Sequence, residues 1–460
     1  MRIIKSGVIL LLVLCAALLM LVGPRGNASV PDDRVVVDYW EKWTGNEESQ
    51  MRQIVDAFND TVGRDKGIFV RYLSTSSVNQ KTLIATAAGV PPDIAGLWTP
   101  NVPQFAAMDA LEPLDELAAA HGITAATYKP VFWEGCKYDG KLYALVSTPY
   151  NVALHYNKDL FAKRADALRA AGLDPDRAPR TLSELDAYAS ALDEVDARGN
   201  IIRTGYLPLE PGWYLDYTCL WFGGNWWDER NKRFTFTDPA VIRSYEWVQS
   251  YSKKLGKDAM TEFRTGFGGF DSPQNPFVAG TVAMVKQGTF MANFIHNLKP
   301  SMDGQWAAAP FPAAVPGLDD VTYCTADVLV IPRGARHKNE AFEFIAYVNR
   351  QDVMEKLCNL HCKTSPLANV SETFMTTHRN PHIRLFERLA ASPNAHTSPP
   401  VPILPEVGAE LNNFVQRLAL LQTTPEEGLK EVQATLQAKY DQFMQRQQQR
   451  RDAGDVTASN

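Results

Sequence analysis

The chain between residues 35 and 98 alternates short apolar runs with segments whose apolar residues recur at helical spacing. The run VVVDYW at 35–40 is rich in β-branched residues, which is typical of a strand buried in a parallel sheet. A helix is predicted over residues 47–59, where the apolar residues lie on one face: Met51, Ile54, Val55 and Phe58. A strand at 69–73, a helix at 79–88 and a strand at 93–98 follow. This β-α-β-α-β order predicts a parallel sheet with helices on its faces.

The loops that follow these strands are the first candidates for a site, because ligands bind beyond the carboxyl ends of parallel strands. Their aromatic and polar residues are Trp40, Glu41, Trp43, Ser74, Thr75, Ser76, Trp98 and Asn101. A tryptophan beside a strand is more often a core residue than a ligand platform, and Trp40 continues an apolar strand. Trp43 lies between Lys42 and Thr44, and for it burial and ligand contact both remain open.

The stretch from Tyr138 to Phe161 holds two strand-like runs, Lys141–Val146 and Asn151–Tyr156, separated by Ser147-Thr148-Pro149-Tyr150. Proline lacks an N–H, so it belongs at a sheet edge or a crossing point rather than inside a ladder. We interpret the stretch as a hinge at which the chain leaves one sheet and enters another. A plain β-hairpin is the alternative.

The rest of the chain continues the mixture of helices and strands. Thr181-Leu-Ser-Glu184 is a capping box, and Asp238-Pro239 is a second helix start. The most aromatic stretch is 206–227. Further predicted elements are helices at 159–171, 339–348, 406–421 and 425–445, strands at 281–285, 306–310 and 328–331, and a proline-rich loop at 393–405.

The first residues have the pattern of a secretory signal peptide. Arg2 and Lys5 precede an apolar run from Val8 to Val22, and small residues follow, so cleavage after Ala28 is predicted. A retained membrane anchor is the alternative, although the run is short for a span. Loss of residues 1–28 removes three basic residues and no acidic one, which changes the net charge from −6 to −9. An acidic body argues against nucleic acid and anionic membranes as partners.

Five cysteines remain after cleavage, an odd number that leaves at least one thiol without a partner inside the chain. Cys358-Asn-Leu-His361-Cys362 has weak metal-site spacing but lacks further ligands nearby, so a helix end with structural cysteines is the preferred interpretation. No His-Glu-x-x-His, Gly-x-Ser-x-Gly, phosphate-loop or dinucleotide motif is present. We therefore expect no cofactor and no metal.

Several motifs together resemble one family. They are Tyr156-Asn-Lys-Asp-Leu-Phe161, Pro92-Asp93-Ile94, Phe277–Met284, Trp306–Pro312 and Ala326–Ala346. Their order over most of the chain resembles the extracellular solute-binding proteins of ABC sugar importers, the maltose-binding-protein-like family. The resemblance implies an α/β, periplasmic binding protein-like fold (type II) in which a multi-segment hinge joins two lobes. It assigns residues 29–148 plus 326–365 to the N-terminal lobe and 149–325 plus 366–446 to the C-terminal lobe, with a disordered tail at 447–460.

The resemblance also implies which residues contact the ligand. Sugars need aromatic planes for their C–H faces and planar donors and acceptors for their hydroxyls. Matching the motifs places these side chains at the cleft: Glu41, Trp43, Trp98, Asn101, Tyr150, Glu210, Trp213 and Phe290. Trp226 joins them because Gly224-Asn225-Trp226 has the same mixture of aromatic and polar residues. Asp327, at the second crossing, either reaches the ligand or locks the hinge through backbone hydrogen bonds.

The function implied is capture of a carbohydrate outside the cytoplasmic membrane by a monomer that delivers it to the permease subunits of an ABC importer. The candidate loops lack a cluster of Arg and Lys that a phosphorylated ligand needs, although a glycerol-phosphate-type ligand stays open within the family. An exported carbohydrate-active enzyme is the alternative, with two cleft carboxylates such as Asp216 and Glu210. A ligand-sensing receptor domain is a third.

Overall fold

The computed structural model describes residues 30–209 and 215–458. No helix in these two ranges is long and apolar enough to cross a membrane. The helices are α1 (Gly45–Asp60), α2 (Val62–Asp65), α3 (Val78–Ala87), α4 (Val102–Ala107), α5 (Asp115–Ala120), α6 (Pro130–Gly135), α7 (Lys158–Lys163), α8 (Ala165–Ala170), α9 (Leu182–Leu192), α10 (Pro239–Leu255), α11 (Lys257–Arg264), α12 (Pro276–Ala279), α13 (Met291–Leu298), α14 (Lys338–Val348), α15 (Gln351–Leu360), α16 (Glu372–Thr377), α17 (Ile383–Ala390), α18 (Leu404–Ala419) and α19 (Pro425–Ala458).

The strands are β1 (Val35–Glu41), β2 (Ile68–Ser74), β3 (Ile94–Trp98), β4 (Lys137–Tyr138), β5 (Lys141–Leu142), β6 (Leu145–Asn157), β7 (Glu194–Val195), β8 (Ile201–Tyr206), β9 (Trp227–Asp228), β10 (Arg233–Phe234), β11 (Val282–Gly288), β12 (Trp306–Ala309), β13 (Thr322–Val330) and β14 (Ala395–His396). The main path of the sheet is β2-β1-β3-β13-β6-β11-β8-β7. β1 pairs in parallel with β2 and β3, so the predicted parallel β-α-β-α-β unit is confirmed.

Two long strands carry the chain through both halves of this sheet. The first residues of β6 pair with β13, and its later residues pair with β11 and β12. The crossing interpretation is thus confirmed over a plain hairpin, but the prediction of two separate strands is wrong, because β6 is continuous. Pro149 lies opposite Ala326, next to a shift in the β6–β13 register between Asp327 and Val328. An irregular ladder tolerates the missing N–H of a proline.

Each half of the sheet has its own core. One core contains buried residues from Val37 to Val146 and from Cys324 to Ala390, and the other contains residues from Val152 to Tyr323 and from Val401 to Tyr440. The two cores correspond to two α/β lobes. Leu367, Phe374 and Ile383 belong to the first core, although the sequence assigned residues 366–446 to the second lobe. The reason is that α16 folds back onto α15, whose Glu355 accepts hydrogen bonds from Ser371.

The final helix differs from the sequence-based expectation at its end. A disordered tail was expected from residue 447, whereas α19 continues to Ala458. Gln, Arg and Ala, which dominate this segment, all have high helix propensity, so a polar composition does not by itself end a helix.

All five cysteines of the described residues are free and buried. Within the same residues, no group of three or more His, Cys, Asp and Glu side chains is arranged to hold a metal ion. Cys358 and Cys362 flank the end of α15, where both pack in apolar surroundings.

Candidate ligand site between the lobes

A cavity of about 340 Å³, here called the Trp98 cavity, lies where the two lobes and the crossing strands meet. The first lobe contributes residues after β3 and at the start of α3, and β6 and β13 contribute their crossing segments. The second lobe contributes the 3₁₀ segment Leu215–Phe222 and the start of α18. The walls are Asn79, Trp98, Pro100, Asn101, Tyr150, Asp216, Tyr217, Tyr323, Thr325, Leu404, Pro405, Val407 and Gly408.

Trp98 is the last residue of β3, and 40% of it is exposed, which is unusual for so large an apolar side chain. The chain turns directly after it through Thr99-Pro100-Asn101. Thr99 Oγ1 lies 2.8 Å from Thr325 Oγ1 and accepts from the Ala326 N–H, which ties this turn to β13. The turn therefore fixes an open indole ring at the carboxyl end of a parallel strand.

Two more predicted residues lie at this cavity, and a third supports it. Asn101 Oδ1 accepts from Asn79 Nδ2 at 3.0 Å, and both side chains line the wall. Tyr150 lies opposite Thr325 in the β6–β13 ladder. Phe290 is buried and packs edge-on against Tyr150, with ring centroids 4.9 Å apart. The structure thus brings Trp98, Asn101 and Tyr150 together at the cavity. Phe290 packs against the Tyr150 ring but does not line the cavity.

Asp216 contributes a carboxylate to the second-lobe wall. In the described part of the chain it forms no hydrogen bond or ion pair with the side chain of another residue, and burial raises its pKa to about 7. Next to it, Tyr217 stacks on Tyr323 with centroids 3.9 Å apart, and both hydroxyls contact Ser398 Oγ. The walls therefore combine a carboxylate, three phenol rings and an exposed indole.

Three other predicted residues belong to an ionic cluster, here called the hinge cluster, or pack directly against it. The members of the cluster are Glu41, Lys42, Glu47, Asp327 and Lys363, and the buried imidazole of His361 lies 3.6 Å from Glu47. Asp327 lies 3.0 Å from Lys42 Nζ and 2.8 Å from Lys363 Nζ, and it accepts from Thr148 Oγ1 at 3.0 Å. The cluster joins β1, β13 and the chain after α15, which are parts of the molecule that meet only in the folded state.

The position of Asp327 decides between its two interpretations. Its side chain is buried and pairs with Lys42 and Lys363, so its contacts agree with the hinge interpretation, although they are ion pairs rather than the predicted backbone hydrogen bonds. Burial alone raises the pKa of this carboxyl, but the ammonium groups of Lys363 and Lys42 outweigh it and hold the pKa well below its usual range. Burial opposes the charge on Lys363, yet Asp327 and Glu47 raise the pKa of this lysine.

Glu41 and Trp43 lie in the first lobe rather than at the cavity wall. Glu41 is fully buried and accepts from Tyr39 Oη at 2.5 Å and from the Lys42 N–H at 2.7 Å. A Cβ at Gly96 would collide with this carboxylate, so only glycine fits there. Trp43 is 5% exposed and packs edge-on against His361, with centroids 4.7 Å apart. Burial is therefore the interpretation that the structure supports for Trp43.

Trp226 belongs to the packed core of the second lobe, not to a cavity wall. It is 1% exposed and stacks on Phe236 with centroids 5.4 Å apart. Glu210 and Trp213 lie outside the described residues. Sequence reasoning did not assign Tyr217, Tyr323 or the start of α18 to the site. The signals available were the aromatic stretch 206–227, which contains Tyr217, and the proline-rich loop at 393–405, which places Leu404 and Pro405 at the cavity.

Comparison with known proteins identifies the family to which this architecture belongs. The family model described as bacterial extracellular solute-binding protein matches residues 43–355. The sn-glycerol-3-phosphate-binding periplasmic protein UgpB of Pectobacterium atrosepticum is 26% identical over 279 residues, which are 58% of this chain and 56% of that protein. UgpB of Escherichia coli is 24% identical over 339 residues, covering 61% of this chain and 74% of that one.

Solved structures are similar over most of the chain. CpMnBP1 with mannotriose bound has a TM-score of 0.75 at 25% identity, covering 87% of this chain and 99% of that chain. The sugar-binding protein MalE from Xanthomonas citri has a TM-score of 0.71 at 19% identity, covering 91% and 99%. The predicted type II two-lobed fold is confirmed by these similarities. With its family model matched over residues 43–355, the chain belongs to the bacterial extracellular solute-binding proteins.

Proposed function

We propose that the chain captures a carbohydrate in the space between its lobes and delivers it to the permease subunits of an ABC importer. The observation that carries this proposal is the exposed indole of Trp98 beside Asn101 and Tyr150, in a cavity with walls from both lobes. An indole face suits the C–H surface of a sugar ring, and amide and hydroxyl groups suit its edge. The similarity to CpMnBP1, a structure with mannotriose bound, supports the same ligand class.

A neutral sugar fits the Trp98 cavity better than the glycerol phosphate named for the UgpB relatives. Phosphate recognition uses Arg or Lys, and no Arg or Lys is among the described residues that line this cavity. Lys42 lies 4.8 Å from the Trp98 ring centroid, but Glu41 and Asp327 already balance its charge. Asp216, the acidic group in the wall, offers no positive charge to a phosphate either.

Closure of the lobes provides the mechanism. The lobes are joined by β6, by β13 and by the chain after α15, and the cavity walls come from both sides of these connections. A ligand that contacts both walls binds the closed form more tightly than the open form, and this differential affinity drives closure. The closed form then docks on the permease. We further propose that residues 1–28 direct export, and that the mature chain acts as a monomer, without catalysis and without nucleic acid.

Thermal unfolding of the purified protein against mono- and oligosaccharides, polyols and phosphorylated ligands tests the proposal. A ligand that binds only the folded chain raises the unfolding midpoint as its concentration increases. We expect a shift with one class of neutral sugar and recovery of that sugar unchanged. Recovery of cleaved product supports the enzyme alternative, and a shift with phosphorylated ligands alone overturns the proposed ligand class.

Replacement of Trp98 tests the site itself. We expect Trp98→Ala to weaken sugar binding about tenfold to a hundredfold, because the stacking surface is lost, while Trp98→Phe retains part of the affinity. Isothermal titration of the sugar found in the unfolding screen measures the change. Ile84→Ala is the matched control, because Ile84 is an exposed apolar residue on α3 of the same lobe and does not line the cavity. Unchanged binding by Trp98→Ala removes this residue from the site.

A further inference from the structure

A second and larger cavity, of about 720 Å³, has walls from both lobes and lies on the α13 side of Phe290. We call it the amide cavity, because carboxamide side chains from both lobes line it. Asn46 and Gln50 come from the first turns of α1 in the first lobe, and Asn293 and Asn297 come from α13 in the second lobe. Its volume falls within the range of about 300–1,000 Å³ that small-molecule sites occupy.

Gln50 distinguishes this cavity from a simple packing defect between helices, because it places at the wall a polar atom that has no partner among the described residues. It is 7% exposed, and its Oε1 has no hydrogen-bond partner in the described part of the chain. Burying an amide oxygen without a partner costs about 1–3 kcal/mol, so an apolar residue at this position of α1 would stabilise the chain better. An acceptor held at the wall of a cavity gains its partner when a donor enters the cavity.

The polar groups define the chemistry of that donor. A carboxamide offers a donor and an acceptor in one plane, which matches a hydroxyl that both donates and accepts. Asn297 Nδ2 already donates to Asn293 Oδ1 at 3.1 Å, which holds the Asn293 side chain in place. Arg379 and Asp303, one group of each charge, lie on the exposed rim. The walls thus suit a neutral ligand that is rich in hydroxyl groups.

The two cavities are neighbours. Tyr150 of the Trp98 cavity contacts the Phe290 ring at 4.9 Å between centroids. Phe290 begins the turn that leads to Asn293 of the amide cavity, because the Asn293 N–H donates to the Phe290 carbonyl at 2.9 Å. Phe290 therefore links a wall residue of the Trp98 cavity to a wall residue of the amide cavity through one ring contact and one helical turn.

We propose that the amide cavity is a second sugar subsite, in which Gln50 and Asn293 hydrogen-bond the hydroxyls of a second ring, so that the cargo is an oligosaccharide rather than a monosaccharide. This inference rests on the proposed carbohydrate-binding function and specifies the size of the ligand. Because Gln50 and Asn293 belong to different lobes, the second ring also adds to the closure energy.

Titration calorimetry with two series tests the inference: glucose, maltose and maltotriose, and mannose, mannobiose and mannotriose. In the series that binds, we expect the affinity to rise about tenfold or more from the monosaccharide to the longer sugars. Gln50→Leu should remove about tenfold of the affinity for the longer sugar and leave the monosaccharide affinity unchanged. Asn297→Ala, at an exposed position, should give a smaller loss of the same kind and does not endanger folding. Gln53→Leu, on the exposed surface of α1 outside the cavity, is the matched control.

Equal affinity for monosaccharide and trisaccharide overturns the second subsite while leaving the proposed function in place. The subsite is also overturned if Gln50→Leu and Asn297→Ala weaken both sugar sizes equally, or if they behave like Gln53→Leu. If no member of either series and no other neutral sugar binds, the proposed function itself fails, and the subsite fails with it.

Discussion

Lys363→Met is expected to lower the free energy of unfolding by about 1–3 kcal/mol, because the buried Asp327 carboxylate loses the closer of its two lysine partners and keeps only Lys42. Lys363 Nζ lies 2.8 Å from Asp327 and 3.4 Å from Glu47, and both Lys363 and Asp327 are buried. Methionine keeps most of the volume of the lysine side chain, so the lost free energy of unfolding reflects the missing charge rather than a new cavity. Urea unfolding at neutral pH measures it.

The control for this variant is Lys163→Met, which breaks a pair with Asp159 on the surface of α7. Exposed pairs contribute about 0–1 kcal/mol, so this replacement should change stability little. The double variant Lys363→Met with Asp327→Asn should recover part of the loss, because Lys42 then keeps Glu41 as its partner. A loss in Lys363→Met no larger than that in Lys163→Met contradicts the role assigned to the hinge cluster.

The second large effect is a loss of stability in mild acid. Burial lowers the pKa of His155 to about 3, and burial lowers the pKa values of His361 and His378 to about 4. Between about pH 6.5 and pH 4 the unfolded chain therefore binds more protons at these histidines than the folded chain, so the free energy of unfolding falls as pH falls. Asp216 opposes this, because its raised pKa of about 7 makes the folded chain the better proton binder in this window. The net slope is about 3 kcal/mol per pH unit at its steepest.

Urea unfolding at several pH values between 7 and 4 measures this slope. His155→Gln and His361→Gln should each flatten it by about 1.4 kcal/mol per pH unit, provided that the variants fold at pH 7. A parent chain with the same stability at pH 4.5 and pH 6.5 rules out the assigned histidine states. Asp216→Asn should steepen the slope, since it removes the opposing group.

Local sequence patterns predicted the elements well where one segment contains all the information. The apolar spacing in α1 and the run in β1 each predicted an element that the structure has. Thr181 caps α9 as predicted, with its Oγ1 accepting from the Glu184 N–H. The Glu184 side chain does not complete the box, because it pairs with Arg177 and accepts from the Arg180 N–H. Arg177, which lies outside the capping box, thus takes the Glu184 side chain away from one of the two hydrogen bonds that the motif predicts.

The tryptophans show the limit of the same reasoning at the site. Trp43, Trp98 and Trp226 all follow or adjoin strands and have polar neighbours, yet of these three only Trp98 is open at a cavity. Trp43 is covered by His361 and Trp226 by Phe236. His361, which covers Trp43, is distant from it in the sequence, so the pattern of residues around Trp43 cannot predict this contact.

The sequence by itself predicted most element types, the family and the candidate loops, because propensity, periodicity and motif order are local or linear properties. It left the crossing near Pro149 open against a plain hairpin. Only the tertiary structure decided that Glu41 and Asp327 form buried ion pairs with lysines, that Trp98, Tyr150 and Asp216 share a cavity, and that carboxamides of both lobes line one cavity. Burial and ion pairing depend on which distant segments meet, and that is set by the packing of the whole chain.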